Sequence, residues 1–171
     1  MHTLVLGGIR SGKTALAESL ASDTSSPVVY LATATAGDDE MRARIQRHQQ
    51  QRPSGWGLAE EPLALAQVLA RQAKVEHPPC ILIDCMSLWL SNLLHAGDEV
   101  FNREREAFLV QISHYPGELV IVSNEVGLGT IGMDPLTRRF ADELGWLNQA
   151  LAAVSDKVVM SVAGLPMTLK P

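Results

Sequence analysis

Gly7, Gly12, Lys13 and Thr14 occupy the fixed positions of the spacing G-x-x-x-x-G-K-[ST] in the run Gly7-Gly8-Ile9-Arg10-Ser11-Gly12-Lys13-Thr14. This is the P-loop pattern, and its residue types suit a polyphosphate. The glycines permit a close turn whose backbone N–H groups point inward, and the amides of the intervening residues add donors. Lys13 can reach the β- and γ-phosphates, while the Thr14 hydroxyl can enter a Mg²⁺ shell. A second candidate is His48, which lies among Arg42, Arg44, Arg47 and Arg52. A neutral imidazole is a phosphorus nucleophile. Neighbouring cations oppose its protonation and stabilise charge developing on an attacked phosphate. The third candidate is Asp84, which closes the apolar run Cys80-Ile81-Leu82-Ile83. A carboxylate at the end of a central strand suits Mg²⁺ or its water, as in a Walker B strand. The alternative is that Asp84 caps a helix beginning at Met86.

These groups need elements to position them. The run Thr3-Leu4-Val5-Leu6 suits a buried strand, and residues 13–21 propagate a helix out of the glycine turn, whose positive end favours phosphate. A second apolar strand, residues 28–32, ends in Thr33-Ala34-Thr35-Ala36-Gly37, whose hydroxyls can face a phosphate or a base edge. Asp38 can cap a helix running to about residue 51, on which Arg44 and His48, four apart, share a face. Pro53-Ser54-Gly55-Trp56-Gly57 breaks that helix, and residues 58–60 read as a short extended piece. Residues 61–73 read as a helix with Leu63, Ala66, Leu69 and Ala70 toward the core. After Asp84, helical pattern stops at Ala96-Gly97-Asp98, resumes over 100–115, and gives way to a buried strand at 119–123. That strand ends in Asn124-Glu125-Val126-Gly127, where open parallel sheets place ligands, and Glu125 is a candidate to orient an acceptor there. A long helix over 135–154, a strand over 157–162 and an edge strand over 165–169 complete the chain.

Strands with apolar interiors alternating with helices indicate an α/β fold with a mostly parallel sheet covered on both faces. The expectation is a P-loop nucleotide-hydrolase-like three-layer sandwich with an antiparallel edge strand at the C-terminus. At 171 residues and 46% apolar composition, the default is one domain spanning 1–171. A formal charge of −5 without a basic tail argues against extended nucleic-acid binding. No apolar run approaches the ~18 residues of a membrane span. A spacing of five along one strand does not turn Cys80 and Cys85 toward each other, which fits a reduced cytoplasmic compartment. Met1-His2-Thr3 has no charged leader region, and cleavage of a leader would remove the glycine motif. Trp56, Trp89 and Trp146 suit either core or interface.

The sequence closely resembles the bifunctional adenosylcobinamide kinase and adenosylcobinamide-phosphate guanylyltransferase family of cobalamin biosynthesis, over residues 4–164. The matches are the glycine motif, Tyr30-Leu31-Ala32-Thr33, Asp39-Glu40-Met41-Arg42-Ala43-Arg44-Ile45, His48, Arg52-Pro53, Trp56, Ser123-Asn124-Glu125-Val126-Gly127 and Asn148-Gln149. The resemblance implies phosphorylation of the aminopropanol hydroxyl of adenosylcobinamide with ATP or GTP. Transfer of GMP from GTP to the new phosphate would follow, through a guanylylated histidine, with release of pyrophosphate. His48 is the only histidine in the family's basic segment. Some relatives have two adjacent histidines there, where this chain has Arg47 and His48. The resemblance also implies that Gly7 to Thr14 hold the GTP phosphates, with Ala32, Thr33, Ala34, Arg52, Glu60 and Asp84 as further nucleotide contacts and Thr14 and Asp84 toward Mg²⁺. It implies a homotrimer as well. A hydrolysing motor or a GTP-binding regulatory module would leave the Arg44, Arg47 and His48 cluster without a purpose.

Overall fold

A computed structural model describes residues 1–34, 55–129 and 132–171. Five parallel strands form its apolar centre: β1 (His2–Gly7), β2 (Val28–Ala32), β4 (Cys80–Asp84), β5 (Leu119–Asn124) and β6 (Lys157–Val162). At the edges lie β3 (Gly57–Glu60) and β7 (Leu165–Lys170). The spatial order is β3-β2-β4-β5-β1-β6-β7, parallel throughout except that β7 runs antiparallel to β6. Ala163 and Gly164 join those two strands with φ of 52° and 79°. Positive φ at both turn positions matches the right-handed twist of a tight hairpin.

Among the described residues, helices cover the two faces unequally. On one face α1 (Lys13–Ser22) buries Ala17 and Ala21 against Val5, Tyr30, Leu82, Val120 and Val122. The opposite face carries α2 (Leu65–Gln72), α3 (Met86–Ala96), α4 (Asp98–His114) and α5 (Pro135–Val154) over Leu4, Leu31, Ile83 and Ile121. Adjacent strand residues point to opposite faces, and both faces are covered. The central strands therefore read as unbroken apolar runs. Trp89 is fully buried and its ring lies 4.8 Å from that of Phe108, whereas Trp56 is half-buried and Trp146 is 54% exposed.

The helix expected over 61–73 begins four residues later. The Glu61 carboxylate accepts hydrogen bonds from Leu63 N–H at 3.0 Å and Ala64 N–H at 2.9 Å, closing a separate turn around Pro62. The Leu63 carbonyl is held by Trp89 Nε1–H at 2.8 Å. With the start displaced, the buried face consists of Leu65, Val68 and Leu69, while Leu63, Ala66 and Ala70 are only partly buried. By contrast, α5 starts where its sequence predicts: Asp134 accepts from Thr137 N–H at 2.9 Å, ahead of Pro135 in the first turn.

Candidate functional site

The C-terminal ends of the parallel strands form one rim. Across it, Glu60 is in register with Ala32, Ala32 with Asp84, Asn124 with Gly7, and Gly7 with Ser161. Gly7 ends β1 and Lys13 begins α1, so the glycine motif is a loop between a strand and a helix N-terminus. Gly12 has φ of 91°, a conformation that L side chains rarely adopt. Lys13 Nζ donates to the Gly8 carbonyl at 3.1 Å, bending back over the loop.

The loop is braced by the far end of the chain. The Ser11 carbonyl accepts from Ser161 Oγ–H at 2.7 Å and from Gly164 N–H at 2.8 Å. A Cβ on Gly12 would lie 3.1 Å from Gly164 Cα, and one on Gly7 would lie 2.8 Å from the Ser161 carbonyl. The β6–β7 turn thus fits against the phosphate loop with no room for side chains between them. No sequence pattern signals this brace. We expect Gly164→Ala to lower stability by about 1–2 kcal/mol, because alanine must hold a left-handed conformation. It should weaken nucleotide binding in step. Urea midpoints and nucleotide titration test both effects, and undiminished nucleotide affinity in the destabilised variant would limit the turn to a folding role.

Asp84 reaches the loop from the strand two places away. Its Oδ2 lies 3.4 Å from Thr14 Oγ1 and accepts from the Tyr30 hydroxyl at 2.8 Å. It does not cap α3: Cys85 holds that position, without a side-chain hydrogen bond. The hydroxyl and the carboxylate supply hard oxygen ligands, the donor set that Mg²⁺ takes. Among the described residues no group of three His, Cys, Asp or Glu side chains could hold a metal by themselves. Two protein oxygens suit an ion whose other ligands are water and phosphate. The sequence marks Tyr30 as a strand residue and as part of the family-matching run Tyr30-Leu31-Ala32-Thr33, without a partner for its hydroxyl. Its partnership with Asp84 becomes visible once β2 and β4 are adjacent.

The remaining candidates are spread along the rim. Ala32 is buried beside Asp84, and Ala34 is half-buried. Thr33 is fully buried; its hydroxyl donates to the Cys85 carbonyl at 2.8 Å and accepts from Cys85 N–H at 2.9 Å. Glu60 is exposed on the edge strand, four strand spacings from Gly7, which corresponds to roughly 19 Å. The structure therefore brings Gly7 to Thr14 and Asp84 together and sets Glu60 at the opposite end. Arg42, Arg44, Arg47, His48 and Arg52 lie outside the described residues. Glu125 extends the rim by donating its N–H to the Gly7 carbonyl at 3.1 Å, while its carboxylate accepts from Gly127 N–H at 2.8 Å.

Asn148, on α5, organises the end of β5. Its Oδ1 accepts from Ser123 Oγ–H at 2.6 Å and its Nδ2 donates to the Asn124 carbonyl at 3.0 Å. The thiols of Cys80 and Cys85 are both free. Burial raises both above the ordinary thiol range, Cys80 to about 11. Neither is a thiolate near neutral pH.

Two solved structures share the architecture. A protein from Pyrococcus horikoshii aligns with a TM-score of 0.55 at 12% identity, over 99% of this chain and 85% of that one. An ATPase of a bacterial type III secretion system aligns at 0.57 and 10% identity, over 98% of this chain and 57% of that one. At these identities the likeness concerns fold alone. Sequence relatives are nearer. The bifunctional adenosylcobalamin biosynthesis protein CobP of Pseudomonas aeruginosa is 49% identical over 99% of this chain and 98% of its own length. The corresponding CobU of Escherichia coli is 35% identical over 99% and 100%. With residues 3–169 also matching the family model described as cobinamide kinase / cobinamide phosphate guanyltransferase, the chain belongs to that family.

Proposed function

We propose that this protein phosphorylates the aminopropanol hydroxyl of adenosylcobinamide with ATP or GTP and then caps the new phosphate with GMP from GTP. The observation that carries this reading is the approach of Asp84 to Thr14 at the end of a phosphate loop, in a chain of this family. Mg²⁺, when bound, would neutralise charge developing on the phosphates. Thr14 and Asp84 are the residues that would hold it. Lys13 and the loop amides from Gly7 to Thr14 bind the phosphates, and Ala32, Thr33, Ala34, Arg52 and Glu60 belong to the nucleotide side.

In the second reaction, a neutral His48 nitrogen attacks the α-phosphorus of GTP. A P–N bond forms, the bond to the bridging α–β oxygen breaks, and pyrophosphate leaves. An oxygen of adenosylcobinamide phosphate then attacks the same phosphorus, breaking P–N and yielding adenosylcobinamide-GDP. Two in-line displacements give net retention at phosphorus. We further propose a homotrimer, as the family resemblance suggests, and a cytoplasmic location, supported by two free thiols. A single domain is supported by a sheet in which the N-terminal strand lies between β5 and β6. Among the described residues, no helix is long and apolar enough to cross a membrane.

The test is a pair of Mg²⁺ titrations, one following transfer of labelled γ-phosphate to cobinamide and one following transfer of α-labelled GMP to the protein. Wild-type protein should support both. Asp84→Asn should raise the Mg²⁺ requirement of each by ~10–100-fold, as when the support of a metal site is removed. Unchanged metal dependence would exclude the role of Asp84, and absence of cobinamide phosphorylation in the wild type would overturn the reading itself.

A further inference from the structure

Asp84 is gripped from the neighbouring strand by residues at the end of β2 and just beyond it. Its main-chain carbonyl accepts from Thr33 N–H at 3.2 Å. The next residue, Cys85, is held at both of its main-chain polar groups by the Thr33 hydroxyl, which accepts from Cys85 N–H at 2.9 Å and donates to the Cys85 carbonyl at 2.8 Å. The Asp84 carboxylate is met by Tyr30, whose hydroxyl donates to Oδ2 at 2.8 Å.

Register explains why these residues reach it. Ala32 is the partner of Asp84 across the β2–β4 pair, and Tyr30, two residues earlier, projects from the same face of the sheet. Its ring is packed into the core cluster that α1 covers, so the hydroxyl arrives on the face from which α1 presents Thr14. Thr33 is itself anchored. It is fully buried, and its carbonyl accepts from Asn92 Nδ2 at 2.9 Å, an amide that also reaches the Pro62 carbonyl at 3.1 Å. With its N–H, carbonyl and hydroxyl all engaged by protein groups, Thr33 serves the nucleotide side through Asp84 and not by touching a phosphate.

A carboxylate that supports a metal binds it better when its orientation is set beforehand, because the ion then does not have to order the side chain. An ionised carboxylate only accepts, so a phenol beside it donates, and hydrogen bonds to a charged group are the stronger kind. We infer that Tyr30 and Thr33 are positioning residues for Asp84, holding its carboxylate beside Thr14 in the orientation that supports Mg²⁺. Tyr30 fixes the carboxylate, and Thr33 fixes the main chain from which it projects. The inference rests on the metal role proposed for Asp84 and deepens it.

The test measures binding of a GTP analogue with a methylene group between the α- and β-phosphorus, which cannot transfer GMP, at stepped Mg²⁺ concentrations without cobinamide. Wild-type protein should bind the analogue more tightly as Mg²⁺ rises. Tyr30→Phe, which removes one oxygen, should raise the Mg²⁺ concentration at half-effect by about tenfold, and should leave metal-free affinity within about twofold of wild type. Thr33→Val should move that midpoint in the same direction by ~3–10-fold, and Thr33→Ser, which keeps the hydroxyl, should return it to within about twofold. In an Asp84→Ala background, Tyr30→Phe should change the midpoint by less than about twofold, because a residue acting through Asp84 has nothing left to act on. Thermal unfolding checks that each variant is folded.

An unmoved midpoint in folded Tyr30→Phe, with that of Asp84→Ala displaced, overturns the inference and leaves the metal role of Asp84 standing. A full Tyr30→Phe effect in the Asp84→Ala background overturns it too, as does an equal loss of affinity with and without metal. An unmoved midpoint in Asp84→Ala itself overturns the metal role, and the inference falls with it.

Discussion

Replacing Lys13 by alanine is expected to lower kcat/KM of both half-reactions by about 10²–10³-fold, the scale seen when a preorganised charge stabiliser is deleted. The two reactions share one demand, since each moves negative charge onto phosphate oxygens held in the same loop. In phosphorylation of the acceptor the charge collects on the β-phosphate of the departing diphosphate. In guanylylation it collects on pyrophosphate. Lys13 is the first residue of α1, and its ammonium already bends over the loop to the Gly8 carbonyl. It therefore needs little reorganisation to meet a phosphate. The side chain is half-buried and makes no ion pair among the described residues, so its loss should leave the fold intact. Separate assays of each half-reaction, with thermal unfolding as a control, decide the matter. Near-normal turnover in either assay would mean that the loop shape is retained without the chemistry assigned to Lys13.

The second large effect should be confined to one reaction. His48→Ala should abolish the protein-bound GMP formed from α-labelled GTP and reduce GMP transfer to background, while phosphorylation of cobinamide persists. The reason lies in the proposed route: the guanylyl step uses a nucleophile on the protein, whereas in the kinase step the acceptor hydroxyl attacks directly. The wild-type adduct should be acid-labile and base-stable, as a phosphoramidate is. Arg44 and Arg47 stand within four residues of His48. In the proposed mechanism their charge would favour the neutral ring and stabilise the attacked phosphate. Equal labelling of wild type and His48→Ala would remove His48 from the mechanism. Loss of both activities in a folded variant would make it part of the shared nucleotide site.

What was legible in the sequence was local. The strand, glycine turn and helix from His2 to Ser22 are continuous in the chain, and their chemistry is set by residue types at fixed spacing. Asp84 could be placed at a strand end because the apolar run before it is unbroken. Its two readings, metal ligand or helix cap, differed only in what lay across from it. Tertiary structure supplied that neighbour: β2 brings Tyr30 and α1 brings Thr14 to the same carboxylate oxygen, across separations of 54 and 70 residues. The brace of Ser161 and Gly164 on Ser11 joins positions about 150 apart, with no periodicity to announce it. The start of α2 depended on a carboxylate answering two local N–H groups, a competition that helical spacing does not register. Asn124 stood in a recognisable segment, but its place between the phosphate loop and Asp84 follows from β5 lying between β1 and β4. Strand order arises from burying both faces of the sheet at once, and that packing depends on the whole chain.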